Sequence, residues 1–195
     1  MNLQKLLSFV KLTQEFRGVE RQIVFKQSKV KENDTEHSFQ LAIVAWYLAN
    51  SHKFDLDTNL IVKYALVHDL VEVYAGDTPM NSTDEAYVAS KQKREKEAEE
   101  KIGREFFEFK EMVDCIHAYE KKEDKESKFV YALDKLLPVL SIYLDEGHSW
   151  KVDKISLDMI IDSKTDKIAL SPEIKKYFDE ILEILHKEKD NLFTS

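Results

Sequence analysis

The sequence predicts an all-α helical bundle. Three observations carry that expectation: only 4 glycines and 3 prolines interrupt 195 residues, apolar residues recur every three to four positions, and no clear strand pairing is visible. A hydrophobic content of 43% over this length suits a single domain, residues 1–195, with a substantial core.

The first helix is expected near 2–15, where MNLQKLLSFVKLTQEF sets Leu3, Leu6, Leu7 and Val10 among Lys5 and Lys11. That is an amphipathic face, not the uninterrupted apolar core of a signal peptide. A second helix, 36–52, follows Asp34-Thr35, a third, 58–74, follows Asp57-Thr58, and a fourth, 84–101, follows the capping-box pattern Ser82-Thr83-Asp84-Glu85. Helices near 105–121, 127–145 and 153–163 come next. The last, 172–188, opens on Ser171, Pro172 and Glu173, a cap, a proline at the first helical position and an early carboxylate. SKQKREKEAEEKIGRE reads as a solvated helical face without chemistry, and YEKKEDKES as a polar connector.

With 37 acidic against 29 basic residues and a formal charge of -8, the chain lacks the basic stripe that duplex binding relies on. Its partners are therefore expected to be small molecules, with no nucleic acid and no membrane, since no run approaches the roughly 20 apolar residues of a span. The single Cys115 excludes an internal disulfide and suits a reducing, cytoplasmic setting.

The stretch ALVHDLVEVYAGDTP places His68 and Asp69 beside Leu66, Val67, Leu70 and Val71. A carboxylate in such surroundings costs several kcal/mol unless compensated, and a metal ion is a strong compensation. His37 in NDTEHSFQLAIVAWYLA and Asp134 in KFVYALDKLLP are similarly set on apolar stripes. Each alone reads as a satisfied core histidine or, for Asp134 beside Lys135, a paired carboxylate. Together they are four metal-competent groups on three helices, which would otherwise need four separate hydrogen-bonding explanations. Glu72 shares the side of the helix that carries His68 and Asp69, and Asp77 follows the turn-permitting Gly76. His52, His148 and His186 lie in polar surroundings, and His117 reads as core or rim packing ahead of a second metal site.

The ordered set His37, HDLVEVYAGD and the LDK that contains Asp134 resembles the HD-domain metal-dependent phosphohydrolases. The form HDxxExxxxD, preceded by Glu-His-Ser and an upstream Arg21, is similar to the branch containing bacterial 5'-deoxynucleotidases and their eukaryotic relatives. The resemblance runs from about Arg21 to Leu137. It implies a helical bundle with the metal site at its centre, where His37, His68, Asp69 and Asp134 hold one divalent cation (Mn, Co, Ni, Fe, Zn or Mg). It further implies hydrolysis of (deoxy)nucleoside 5'-monophosphates, with Glu72 and Asp77 as catalytic or substrate-orienting acids and Arg21 as the phosphate-binding residue. Gln22 stands where the deoxynucleotidases have an aromatic residue near the sugar, a departure that bears on deoxy preference. Members of the branch are commonly dimers, and Trp46, Tyr47, Phe106, Phe107 and Phe109 offer apolar surface for a homodimer.

The chemistry agrees. A phosphate monoester dianion repels a nucleophile, and a cation that binds a phosphoryl oxygen and acidifies water meets both obstacles. Glu72 would orient the water or protonate the departing oxygen, and the planar donors of Arg21 match a phosphate. The competing readings are an HD hydrolase of a triphosphate, cyclic nucleotide or alarmone, and a non-catalytic metal or nucleotide sensor. Alarmone hydrolases carry an HDxxED pair, whereas Val73 follows Glu72 here, and a triphosphate calls for more cationic groups than the motif residues offer.

Overall fold

The computed structural model describes residues 2–26, 30–78 and 84–194. Its axis is α8 (Lys125–Leu144), capped by Asp124, whose carboxylate accepts the Ser127 N–H at 2.6 Å. Phe129, Val130, Leu133, Leu136 and Leu137 are buried around much of its circumference, as expected of a helix walled in on several sides. Packed against it are α2 (Asp34–Ser51), α3 (Thr58–Val67), α10 (Leu157–Ile168) and α11 (Pro172–Lys187). Pro138 lies inside α8; having no N–H, it leaves the Asp134 carbonyl without its helical partner.

The remaining helices are α1 (Leu3–Phe16), α4 (Glu72–Ala75), α5 (Glu85–Ala89), α6 (Lys91–Glu105), α7 (Lys110–Lys121), α9 (His148–Val152) and α12 (Lys189–Leu192). Apolar side chains gather in two clusters. The larger includes Leu41, Ile61, Phe129, Leu133, Leu157 and Phe178. The smaller joins α1, α4, α6 and α7 through Leu12, Phe16, Leu70, Ile102, Phe106 and Ile116. Val67, at the end of α3, packs against both.

Three expectations about elements are corrected. An antiparallel hairpin is present: β1 (Glu20–Val24) pairs with β2 (Lys31–Asn33), with Glu20 opposite Asn33, Val24 opposite Lys31 and an irregularity between. Its strands are short and only Ile23 is a buried apolar residue on them, so no alternating pattern was there to read. The second correction is that no helix runs 58–74. The chain turns at 68–71, where Leu70 N–H donates to Val67 O, Glu72 N–H to Asp69 O and Val73 N–H to Leu70 O, a tightened i to i−3 pattern. The expected 84–101 helix likewise divides at Ser90.

Among the caps, Asp57 holds the start of α3 as expected, accepting from Asn59 and Leu60 N–H at 2.9 and 3.2 Å. Asn33, not Asp34, caps α2, in a reciprocal box with Glu36, and Asp34 becomes the first helical residue. Ser82 and Thr83 lie outside the described residues; Asp84 caps α5 through Tyr87 N–H at 2.9 Å. Ser171 stands at the cap position of α11, but its hydroxyl donates to Glu173 Oε2 at 2.7 Å.

Trp46, Tyr47, Phe107 and Phe109 are exposed, while Phe106 is only 4% exposed and belongs to the smaller core. Among the described residues no helix is long and apolar enough to cross a membrane.

Candidate functional site

Where the two clusters meet, α2, α8 and the 68–71 turn bring four side chains together. His37 comes from the first turn of α2, Asp134 from the middle of α8, and His68 and Asp69 from the turn. One ligand atom from each lies within 4.8 Å of all the others. His37 Nε2 is 2.9 Å from Asp134 Oδ1, and His68 Nε2 is 2.9 Å from Asp69 Oδ2 and 3.8 Å from Asp134 Oδ1. The end of α3 at Val67 lets the adjacent His68 and Asp69 serve one point, which two successive residues of a straight helix, about 100° apart, do less easily.

The orientation of His68 fits a metal. Its Nδ1 lies 2.9 Å from the Ala65 carbonyl, an oxygen that can only accept, so Nδ1 carries a proton and Nε2 is the nitrogen left to give its lone pair to a metal. That Nε2 is buried without a hydrogen-bond partner, a costly arrangement unless something occupies it. Two imidazoles and two carboxylates suit a divalent transition metal or, with less preference, magnesium. Burial pushes Asp69 and Asp134 upward, yet both stay well below the usual carboxylate range: His68 and Arg21 hold Asp69 down, and Lys135, His37 and His68 hold Asp134 down. Burial pushes His37 downward, but its bonds to Asp134 and Glu32 carry it up to about 9. The set is a well of negative charge lined with imidazole.

The hairpin delivers a second ring. Arg21 on β1 reaches Asp69 Oδ2 at 2.6 Å and Asp34 Oδ1 at 3.2 Å through Nη1, and Glu32 Oε2 at 3.3 Å through Nε. Glu32 on β2 also faces His37 Nδ1 at 3.7 Å. Arg21 is thus a strut between the hairpin and the cluster, and its Nη2 takes no part in these contacts. Glu32 carries no local signal in the sequence and Asp34 reads there only as a helix-start residue; it is the hairpin that brings both to the site.

Glu72 opens α4 and is buried. Desolvation, with Asp69, Asp34 and Asp77 nearby, pushes its carboxyl up to about 10, so it holds a proton at neutral pH. Asp34 is pushed up to about 7, by burial first and then by Asp69, and burial raises Asp77 as well. Asp77 is brought to the same cavity by Gly76, whose φ of +75° favours glycine.

The Gly76 turn is fastened by a residue to which the sequence reading gave no chemistry. Arg94 on α6 donates to the Ala75 carbonyl, to Thr78 Oγ1 at 2.8 Å and to the Tyr87 carbonyl at 3.2 Å. Its guanidinium lies 3.7 Å from the Tyr87 ring centroid, and the Tyr87 hydroxyl donates to the Asp77 carbonyl at 3.1 Å. In sequence, Arg94 is one charge among many; only the fold singles it out.

These groups open on a cavity of about 400 Å³. Its lining includes the apolar Ile23, Val139, Ile142, Trp150, Ile155 and Ile160, and Lys91, Lys122, Lys135, Lys164 and Lys167 face the same space. This corrects the expectation of too few cationic groups, because lysines from three helices and one connector converge only on folding. His117 is exposed and bonds Glu99 at 2.9 Å, so it is neither core nor, among the described residues, part of a metal-competent cluster. His52 and His186 are exposed, and His148 is half-buried.

A family model described as "HD domain" matches residues 13–175. The chain belongs to the HD-domain family. This HD-domain chain is 29% identical over 181 residues to 5'-deoxynucleotidase HDDC2 of Bos taurus, covering 91% of the chain and 84% of that protein. It is 29% identical over 160 residues to 5'-deoxynucleotidase YGK1 of Saccharomyces cerevisiae, covering 78% and 69%. Among solved structures, a predicted metal-dependent phosphohydrolase from Magnetospirillum magnetotacticum MS-1 superposes with a TM-score of 0.81 at 26% identity, covering 98% of this chain and 96% of that one. The PH0347 protein of Pyrococcus horikoshii OT3, at 22% identity and a TM-score of 0.64 over 95% and 99%, shares the fold.

Proposed function

We propose that this HD-domain protein is a metal-dependent phosphohydrolase that removes the 5'-phosphate from (deoxy)nucleoside monophosphates. The observation that carries the reading is the convergence of His37, His68, Asp69 and Asp134, with the His68 lone pair aimed inward, beside a protonated Glu72. The names of the similar proteins support the same substrate class.

A bound divalent cation supplies Lewis acidity toward a phosphoryl oxygen and toward water. His37, His68, Asp69 and Asp134 would hold it. The chain's own residues do the rest. Glu72 is the group to supply the proton that a departing 5' oxygen requires, since its burial favours the protonated form. Arg21 fixes Asp69 by its 2.6 Å bond and leaves Nη2 for a phosphate oxygen. Asp77, held by the Gly76 turn, is placed to orient the substrate or the water. The apolar part of the lining, with Trp150 and Ile160, suits a base or sugar face. Gln22, also in the cavity wall, replaces an aromatic contact, so the ribo form is accepted alongside the deoxy form. A homodimer belongs to the same reading, through exposed Phe39, Ile43, Trp46 and Tyr47 on α2, and light scattering reports it directly.

The test is phosphate release from ribo- and deoxynucleoside 5'-mono- and triphosphates with manganese or cobalt and an EDTA control. The expected result is metal-dependent release from monophosphates. Silence on monophosphates in every metal overturns the proposal.

A further inference from the structure

The cations of the cavity differ in how far they are neutralised. Arg21 is tied to three carboxylates, and Lys135 Nζ lies 2.5 Å from Asp134 Oδ2. Lys122 lies 3.7 Å from Glu120 and Lys91 lies 3.3 Å from Glu95. Lys164 and Lys167 also line the cavity, yet neither takes part in an ion pair or hydrogen bond among the described residues. They sit three residues apart on α10, so they share one face with Cβ atoms about 5–6 Å apart.

The charges that weigh most on these two amines are cations, although carboxylates including Glu95, Glu120 and Asp153 also line the cavity. Burial acts most strongly on Lys164, bringing its pKa down to about 8 with the help of Lys135, Lys167 and Arg21. Lys167 is lowered by burial and then by Lys135 and Lys91. The carboxylate that acts on both is Asp134, which already faces Lys135 and His37. Two adjacent amines without a counter-charge, Lys164 half-buried and Lys167 exposed at the cavity wall, are unfavourable in isolation. They become favourable when an anion enters the space they face.

Resting on the phosphohydrolase reading above, the geometry points to a second anion subsite: Lys164 and Lys167 bind a phosphoryl group other than the one removed, and the substrate class includes nucleotides with two phosphates. In that reading the phosphate removed belongs to the metal that His37, His68, Asp69 and Asp134 would hold, with Arg21 beside it. Lys164 and Lys167 enter from a different helix, α10, which also supplies Ile160, one turn before Lys164, to the apolar lining where a base would lodge. A base lodged there brings the remaining groups of the nucleotide past these amines. A second phosphate on the ribose and a second phosphate in a 5' chain present the same chemistry to the lysines.

The experiment is calorimetric binding to the full chain in EDTA, where no turnover occurs. The ligands are a nucleoside 5'-monophosphate, the matching 3',5'-bisphosphate and the matching 5'-diphosphate. The expected result is that one of the doubly phosphorylated ligands binds about tenfold tighter than the monophosphate or better, in line with new charge-assisted hydrogen bonds. Which one does so locates the second phosphate. In K164Q/K167Q that ratio falls toward one, and in K164R/K167R, which keeps both charges, it is retained. Equal affinity of wild type for all three ligands overturns the inference, as does a ratio that survives K164Q/K167Q. Metal-dependent monophosphate release, measured separately, keeps a failure here distinct from a failure of the phosphohydrolase reading.

Discussion

Lys164→Met keeps an unbranched stem against the cavity wall and removes the amine. The amine's pKa falls from 10.5 to about 8, and at about 1.4 kcal/mol per pH unit that interval is a folding penalty of about 3 kcal/mol. Water at the cavity mouth screens part of it, leaving about 1–3 kcal/mol. Below pH 8 the lysine is protonated in both the folded and the unfolded chain, and the full penalty is present. Between pH 8 and 10.5 the folded chain has released the proton while the unfolded chain retains it. The unfolded state then binds more protons, so stability rises with pH and the penalty disappears. Lys164→Met is therefore more stable than the parent at pH 7, and the advantage closes by pH 10.5. Urea unfolding of both proteins at pH 7, 9 and 10.5, in EDTA and without phosphate, measures the gap. A variant less stable at pH 7, or a gap that does not change with pH, refutes the account of an uncompensated amine.

Three further outcomes are expected. Glu72→Gln keeps the shape and loses the transferable proton, so kcat falls about 100-fold or more while metal content, read by elemental analysis, is unchanged. Arg94→Met releases the Gly76 turn and Asp77 without touching the cluster; kcat/KM falls about tenfold to 100-fold with metal stoichiometry retained, and unaltered kinetics would remove Arg94 from the machinery. Gly147→Ala meets both a φ of +71° and the Leu192 carbonyl oxygen, 2.3 Å from an added Cβ, and costs about 2–4 kcal/mol in denaturant unfolding.

What could be read from the sequence follows from how local each feature is. α8 and α11 carry their apolar faces in consecutive turns, so spacing alone marks them. His37, His68, Asp69 and Asp134 stood out because each is a polar group among apolar neighbours, and the structure brings those four together. The break after Val67 was hidden because Leu70 and Val71 remain buried in the turn, preserving the apolar rhythm while the hydrogen bonds change. The hairpin was invisible because its residues face a charged site: Arg21 and Glu32 occupy positions that would otherwise be apolar. Arg94, Lys164 and Lys167 look like solvated charges on their own helices. Their roles depend on what α6 and α10 are packed beside, which no local pattern encodes.

The turn at 68–71 also bears on how the molecule holds together. It is the hinge line between a larger apolar body around α8 and a smaller one built from α1, α4, α6 and α7. Candidate ligand groups from the larger body, His37 and Asp134, meet His68 and Asp69 on that line, and Leu70 and Val71, next along the chain, are buried in the smaller one. An ion gripped there acts as a rivet through the joint between the two bodies. Drawing it out removes a clamp on the smaller body, whose helices then open by themselves at a lower free energy than the chain as a whole.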